Sequence, residues 1–146
     1  MRAVIQRVKS ASVSVGTETV GAIDVGFLIL LAVHRDDEEL KIAKLADKIA
    51  KLRICEDEAG KMNLSILDTG GEILVVSQFT LYGDSSGGNR PGFIESARPE
   101  KAEPFYLRFI EELKRLGVKK IASGKFGAMM AVDLINDGPT TIIIDI

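Results

Sequence analysis

The chain has 146 residues, 46% of them hydrophobic and 27% charged, the profile of one ordinary soluble domain, expected over 1–146, that buries a core without metal or disulfide staples. Its single cysteine, Cys55, excludes an intramolecular disulfide; the start lacks a signal-peptide pattern, and the longest apolar run, 27–33, is far short of the roughly 20 residues of a membrane-spanning helix, so a cytoplasmic protein with no membrane role is expected. A net charge of −2 and a pI near 5.5 exclude a global basic field; a nucleic-acid partner must meet a local patch, no DNA partner is expected, and the richest local cations are Arg90, Arg98 and Lys101, with Arg2, Arg7 and Lys9 near the start.

Short runs of β-branched and alternating residues come first, at 3–8, 11–15, 17–23 and 27–33, punctuated by Gly16 and Gly26. They read as strands of a largely antiparallel meander. Asp36 and Asp37 then offer a helix cap, Glu38 and Glu39 suit the positive end of a helix dipole, and Ile42, Leu45, Ala46, Ile49 and Leu52 fall at helical spacing. Residues 73–76 form a continuous apolar run followed directly by polar Ser77 and Gln78, the arrangement of a buried strand that delivers polar groups to its end. Residues 82–100 hold four glycines and two prolines and read as a long loop, a kind that in compact domains is usually functional.

A second helix is expected over 99–116, with Ala102, Phe105, Phe109, Leu113 and Leu116 on one stripe and Gly117 as its stop. Three strands near 119–123, 129–135 and 140–146 close the chain. The fold class is therefore α+β, one strand-rich domain with a mostly antiparallel, barrel-like sheet and two main packing helices. Because Ile142, Ile143 and Ile144 are consecutive, the last strand needs cover on both faces, from a dimer partner or from within a monomer.

Much chemistry is excluded by what is missing. His34 is the only histidine, so a Ser-His-Asp or Cys-His site would have to run through it. One histidine and one cysteine leave too few ligands for a zinc site, and no phosphate-cradling glycine motif lies between a strand and a helix; no metal and no cofactor are expected. Two segments stand out. In the first, Ser77, Gln78, Phe79 and Thr80 place two hydroxyls and an amide after a buried strand, where they serve either a pocket floor or neighbouring loops. In the second, Asn136-Asp137-Gly138-Pro139-Thr140-Thr141 reads as a plain hairpin turn or, since a Gly-Pro bond admits the cis isomer, as a rigid pair of outward carbonyls able to recognise an ammonium group.

These segments, with Gln6-Arg7-Val8, Ala11-Ser12-Val13, Gly60-Lys61-Met62-Asn63-Leu64, Val75-Val76 leading into Ser77, Arg90-Pro91 with Phe93, and Gly124 with Phe126, resemble the D-aminoacyl-tRNA deacylase family nearly end to end. The resemblance implies a homodimer in which each subunit's Gly138-Pro139 pair enters the partner's pocket and holds the α-amino group of the substrate, the 3′ end of D-aminoacyl-tRNA. It implies that Ser77, Gln78, Phe79 and Thr80 position the aminoacyl ester, that Arg7 holds the Gly-Pro loop, and that Phe126 and Met130 lie near the terminal adenosine. It further implies that glycyl esters pass the gate and that the tRNA 2′-hydroxyl assists a water. Thr140, Gly92, Lys125 and Met129 depart from the family at motif flanks. Two other classes are an RNA-end binding module without turnover and a small-ester hydrolase using Ser77 or Thr80 with His34 as base.

Overall fold

The computed structural model describes residues 1–146. Three antiparallel strands open the chain, β1 (Arg2–Val15), β2 (Glu18–Ile23) and β3 (Gly26–Ala32), and lead into the helix α1 (Leu40–Ala50). The short strands β4 (Cys55–Glu56) and β5 (Met62–Leu64) pair with each other, and the one-turn helix α2 (Ile66–Thr69) leads to β6 (Glu72–Ser77). A 3-10 turn (Phe79–Tyr82), the helix α3 (Pro99–Arg115), β7 (Ile121–Ser123) and β8 (Met130–Asp145) complete the chain.

The main sheet runs β2-β1-β3-β6-β7, with β8 on the other edge of β1. Pairing is antiparallel around β1, but β6 joins β3, and β7 joins β6, in parallel. The first three strands are antiparallel as expected but form no simple meander, since β2 and β3 each pair with β1 and not with each other, and the α1 crossover supplies the connection that the parallel β3–β6 pair needs. At Gly21 of β2 an added Cβ would lie 2.8 Å from the Ser123 carbonyl oxygen of β7, which brings the two ends of the sheet together into the expected barrel-like form.

Burial follows the pleat. Phe27, Ile29 and Leu31 of β3, with Ile73 and Val75 of β6, point into the large core built with Leu45 and Ile49 of α1 and Phe109 and Leu113 of α3. Their alternates Leu28, Leu74 and Val76 join Val8, Ala11 and Val13 in a smaller cluster inside the curved sheet. Strands apolar on both faces read as continuous hydrophobic runs for this reason.

Four expectations need correction. The runs 3–8 and 11–15 are one strand, because β8 pairs along its whole length. The first helix is not capped by Asp36 or Asp37: it starts at Leu40, and Asp37 is buried, accepting from the Met1 ammonium at 2.7 Å, the His34 N–H at 2.7 Å and Lys41 Nζ at 2.8 Å. Residues 55–69 hold two strands and a helical turn where no element was expected. Last, residues 136–141 are no hairpin turn. The chain does not reverse; β8 continues along β1 from Val8↔Asn136 to Gln6↔Thr141, and the residues between form an excursion within the strand.

Candidate active site

The carboxyl end of β6 delivers its polar residues to a cavity of about 580 Å³. Ser77, Gln78 and Phe79 form one part of its wall, Phe126 and Met130 another, while the helix α3 contributes Ala102 and Tyr106. The Gln78 N–H donates to the Leu31 carbonyl at 2.8 Å, which fixes the strand end against β3. The chain then turns sharply through the 3-10 turn, where Gln78 Nε2 donates to Thr80 Oγ1 and the Ser96 hydroxyl donates to the Phe79 carbonyl at 2.7 Å. As the first N–H groups of that turn, those of Phe79 and Thr80 have no acceptor within it. Thr80 itself is exposed, just outside the cavity lining.

Aromatic contacts shape the walls. Phe79 meets Phe93 edge-on with ring centroids 5.2 Å apart, and Tyr106 lies 5.9 Å from Phe126. The Tyr106 hydroxyl donates to the Val75 carbonyl at 2.8 Å, and burial pushes its pKa up to about 12, so it stays a neutral donor at any physiological pH. Residues 83–98 are the long loop expected from the glycines and prolines. They are tied down by an Asp84↔Gly92 bridge and a His34↔Ser96 bridge. Phe93, Ser96 and Arg98 of this segment line the cavity; Arg98 carried a sequence signal as part of a local basic patch and Phe93 as part of the family motif with Arg90-Pro91, whereas Ser96 carried none.

The Gly-Pro segment is elsewhere. Gly138 and Pro139 are exposed, their peptide bond is cis, and neither lines the cavity. The excursion that carries them is held from β1. Arg7, only 6% exposed, donates from Nη1 to the Ile54 carbonyl at 2.8 Å and from Nη2 to Glu56 at 2.9 Å. Its Nε sits 2.8 Å from Asp137 Oδ2, an ion-pair distance without the alignment of a hydrogen bond. From the other side, Asn136 Nδ2 donates to the carbonyls of Arg7 at 2.9 Å and Thr140 at 3.2 Å. Within one chain, therefore, Ser77, Gln78, Phe79, Phe126 and Met130 come together, Thr80 borders them, and Arg7, Gly138 and Pro139 form a second group.

His34 serves neither group. Its Nε2 is 2.8 Å from Glu95, and its Nδ1 accepts from the Asp36 N–H at 3.1 Å, so both ring nitrogens are engaged away from Ser77 and Thr80. No group of three or more His, Cys, Asp or Glu side chains has metal-binding geometry, and no helix is long and apolar enough to cross a membrane.

The family model described as D-Tyr-tRNA(Tyr) deacylase matches residues 4–145. The chain belongs to the D-aminoacyl-tRNA deacylase family. A deacylase of this name from Thermus aquaticus is 57% identical over 145 residues, covering 99% of this chain and 95% of that protein, and one from Symbiobacterium thermophilum is 55% identical with the same coverage. Among solved structures, the protein titled "c-Myc DNA Unwinding Element Binding Protein" is 44% identical with a TM-score of 0.94, covering 99% of this chain and 98% of that one. A structure titled as a "probable eukaryotic D-amino acid tRNA deacylase" has a TM-score of 0.87 at 18% identity, over 99% and 98% of the two chains, a likeness of fold. In the deacylase chain described here, the motif residues thus fall into two separate groups on one subunit.

Proposed function

We propose that this protein hydrolyses the ester bond of D-aminoacyl-tRNA, releasing free D-amino acid and tRNA, through a site assembled from two subunits. One observation carries the reading: the cavity at the end of β6 is lined by no carboxylate that would pair with an α-ammonium, while Gly138 and Pro139 stand exposed on a braced loop outside it. A second copy that docks its loop at the cavity completes the site. The unpaired outer edge of β8 and its exposed Leu134, Ile135 and Ile143 favour such a partner.

In the completed site, the loop carbonyls accept from the substrate ammonium and fix the α-carbon. An L side chain would then run into the backbone of the gate, whereas a D side chain points away uncontacted, which gives chirality without side-chain selectivity. Glycine has no side chain to exclude and passes as well. Water attacks the ester carbonyl carbon, the bond to the ribose oxygen breaks, and the 2′-hydroxyl of the terminal adenosine relays the proton. The free N–H groups of Phe79 and Thr80 can serve the developing oxyanion, an arrangement that typically contributes several kcal/mol. Thr80 orients and does not attack, since no base reaches it and its hydroxyl is already an acceptor for Gln78. Full turnover in Thr80→Ala supports that role; a dead but folded variant revives the nucleophile.

Hydrolysis of matched D-tyrosyl-, L-tyrosyl- and glycyl-tRNA by the purified protein tests the reading. Loss of the D and glycyl esters with the L ester spared supports it. No loss of any ester leaves an RNA-end binding protein, and equal loss of both enantiomers removes the backbone gate.

A further inference from the structure

Eight arginines occur in the chain, and six of them engage protein groups through the guanidinium: Arg2 with Asp145, Arg7 with Glu56, Arg35 with Glu95, Arg53 with Asn63, Arg108 with Glu39 and Arg115 with Glu112. Only the guanidinium groups of Arg90 and Arg98 make no hydrogen bond or ion pair within the chain. Arg98 is also the one charged residue lining the 580 Å³ cavity, whose walls are otherwise largely apolar. It is exposed, and it stands at the N-cap of the 17-residue helix α3, whose positive end adds to its charge. Nearby carboxylates do not neutralise it: Glu95 is taken by His34 and Arg35, and Glu100 in the first turn of α3 makes no ion pair. Lys125, exposed and unpaired, precedes Phe126 on another wall.

An apolar cavity with a single unpartnered guanidinium suits a nucleoside that carries one anionic group. We propose that Arg98 binds the 5′-phosphate of the tRNA's terminal nucleotide, so that the nucleoside lies between Arg98 and the Phe126–Met130 wall with its ester at Ser77. The inference rests on the deacylase reading and deepens it. Phosphate oxygens take the two parallel N–H donors of a guanidinium well, and a lysine replaces only the charge. Arg98 is thus a substrate-binding residue that fixes how deep the nucleotide sits, and it discriminates a polynucleotide end from a free nucleoside ester.

The test compares 3′-O-(D-tyrosyl)adenosine with its 5′-phosphate as substrates of the full-length protein, alongside D-tyrosyl-tRNA. The wild type should favour the phosphorylated ester about tenfold, in KM and not in kcat, as expected for one charge-assisted contact. Arg98→Ala should erase that preference, Arg98→Lys should keep part of it, and Arg108→Ala, which removes a cation on the outer face of the same helix, should leave it intact. On D-tyrosyl-tRNA, Arg98→Ala should raise KM about tenfold and lower the slope of log affinity against log salt by about 0.7, the value for one single-strand phosphate. Equal use of the two small esters by the wild type, or an unchanged KM and salt slope on tRNA in Arg98→Ala, overturns the assignment. Failure of the wild type to hydrolyse D-tyrosyl-tRNA would instead overturn the deacylase reading itself.

Discussion

A guanidinium held on three sides, as in Arg7, cannot be replaced by a point charge. Two of its partners, Glu56 and Asp137, have side chains 55% and 36% exposed, so solvent screens those ion pairs and they contribute little. The bond that decides is the one to the buried Ile54 carbonyl, which would be left without a donor. Arg7→Ala should therefore destabilise the protein by about 2 kcal/mol in urea unfolding. Arg7→Lys should restore little, because the forked geometry is lost. Tyr106 is the opposite case. Its carbonyl partner Val75 also accepts from the Gly124 N–H at 3.0 Å, so Tyr106→Phe orphans nothing and should cost only about 1 kcal/mol at neutral pH. The pH dependence has a definite sign. With the folded-state pKa at about 12 and an unfolded value near 10, the folded chain holds the proton longer, so this contribution is intact below about pH 10 and is lost as pH rises toward 12. Tyr106→Phe should show a weaker loss of stability over that alkaline window.

At the scale of elements, periodicity made α1, α3, β3 and β6 legible, since each presents either a 3.6-residue stripe or a run apolar on both faces. The segment 55–69 was not legible because strands of two and three residues and a one-turn helix have no period to detect; they are held by contacts such as the Ser65–Asp68 capping box and the Arg7 bond to Ile54. The break in β8 misled for a different reason. Asn-Asp-Gly-Pro is turn chemistry, but Asn136 uses its side-chain amide to serve the Arg7 and Thr140 carbonyls that the interrupted ladder leaves, so the strand resumes on the same partner. The polar end of β6 was legible as a pocket floor or a loop support, and it proves to wall the cavity. Close approach sets the tolerance of the glycines. A Cβ on Gly26 would fall 1.8 Å from the Glu72 carbonyl oxygen at the start of the β3–β6 parallel pair, whereas one on Gly124 would meet the flexible Sδ of Met130 at 2.5 Å. Gly26→Ala should cost about 3 kcal/mol in thermal or urea unfolding and Gly124→Ala far less, the latter instead shifting Met130 and disturbing substrate affinity.

The whole molecule is where a single chain stops explaining itself. Ile142 and Ile144 face the core, but Ile143 is 67% exposed and Ile135 58%, on a strand whose outer edge has no partner. The sequence anticipated cover on both faces of that strand, and one subunit supplies it on one. Sedimentation should accordingly find a dimer, and Ile143→Lys should shift it toward monomer with loss of turnover. The assembly proposed above is a D-ester hydrolase whose gate comes from the second copy, a reading supported by the exposed Gly138-Pro139 loop lying outside the cavity. The direct test is complementation. Gly138→Trp, which obstructs the loop, is unfolded and refolded together with Gln78→Ala, which damages the cavity. Each variant alone should be inactive on D-tyrosyl-tRNA. Random pairing leaves one intact site in half of the dimers, so the mixture should recover about a quarter of wild-type activity on the D ester and none on the L ester. A mixture as inactive as its parents, though dimeric and folded, would contradict a site shared between subunits.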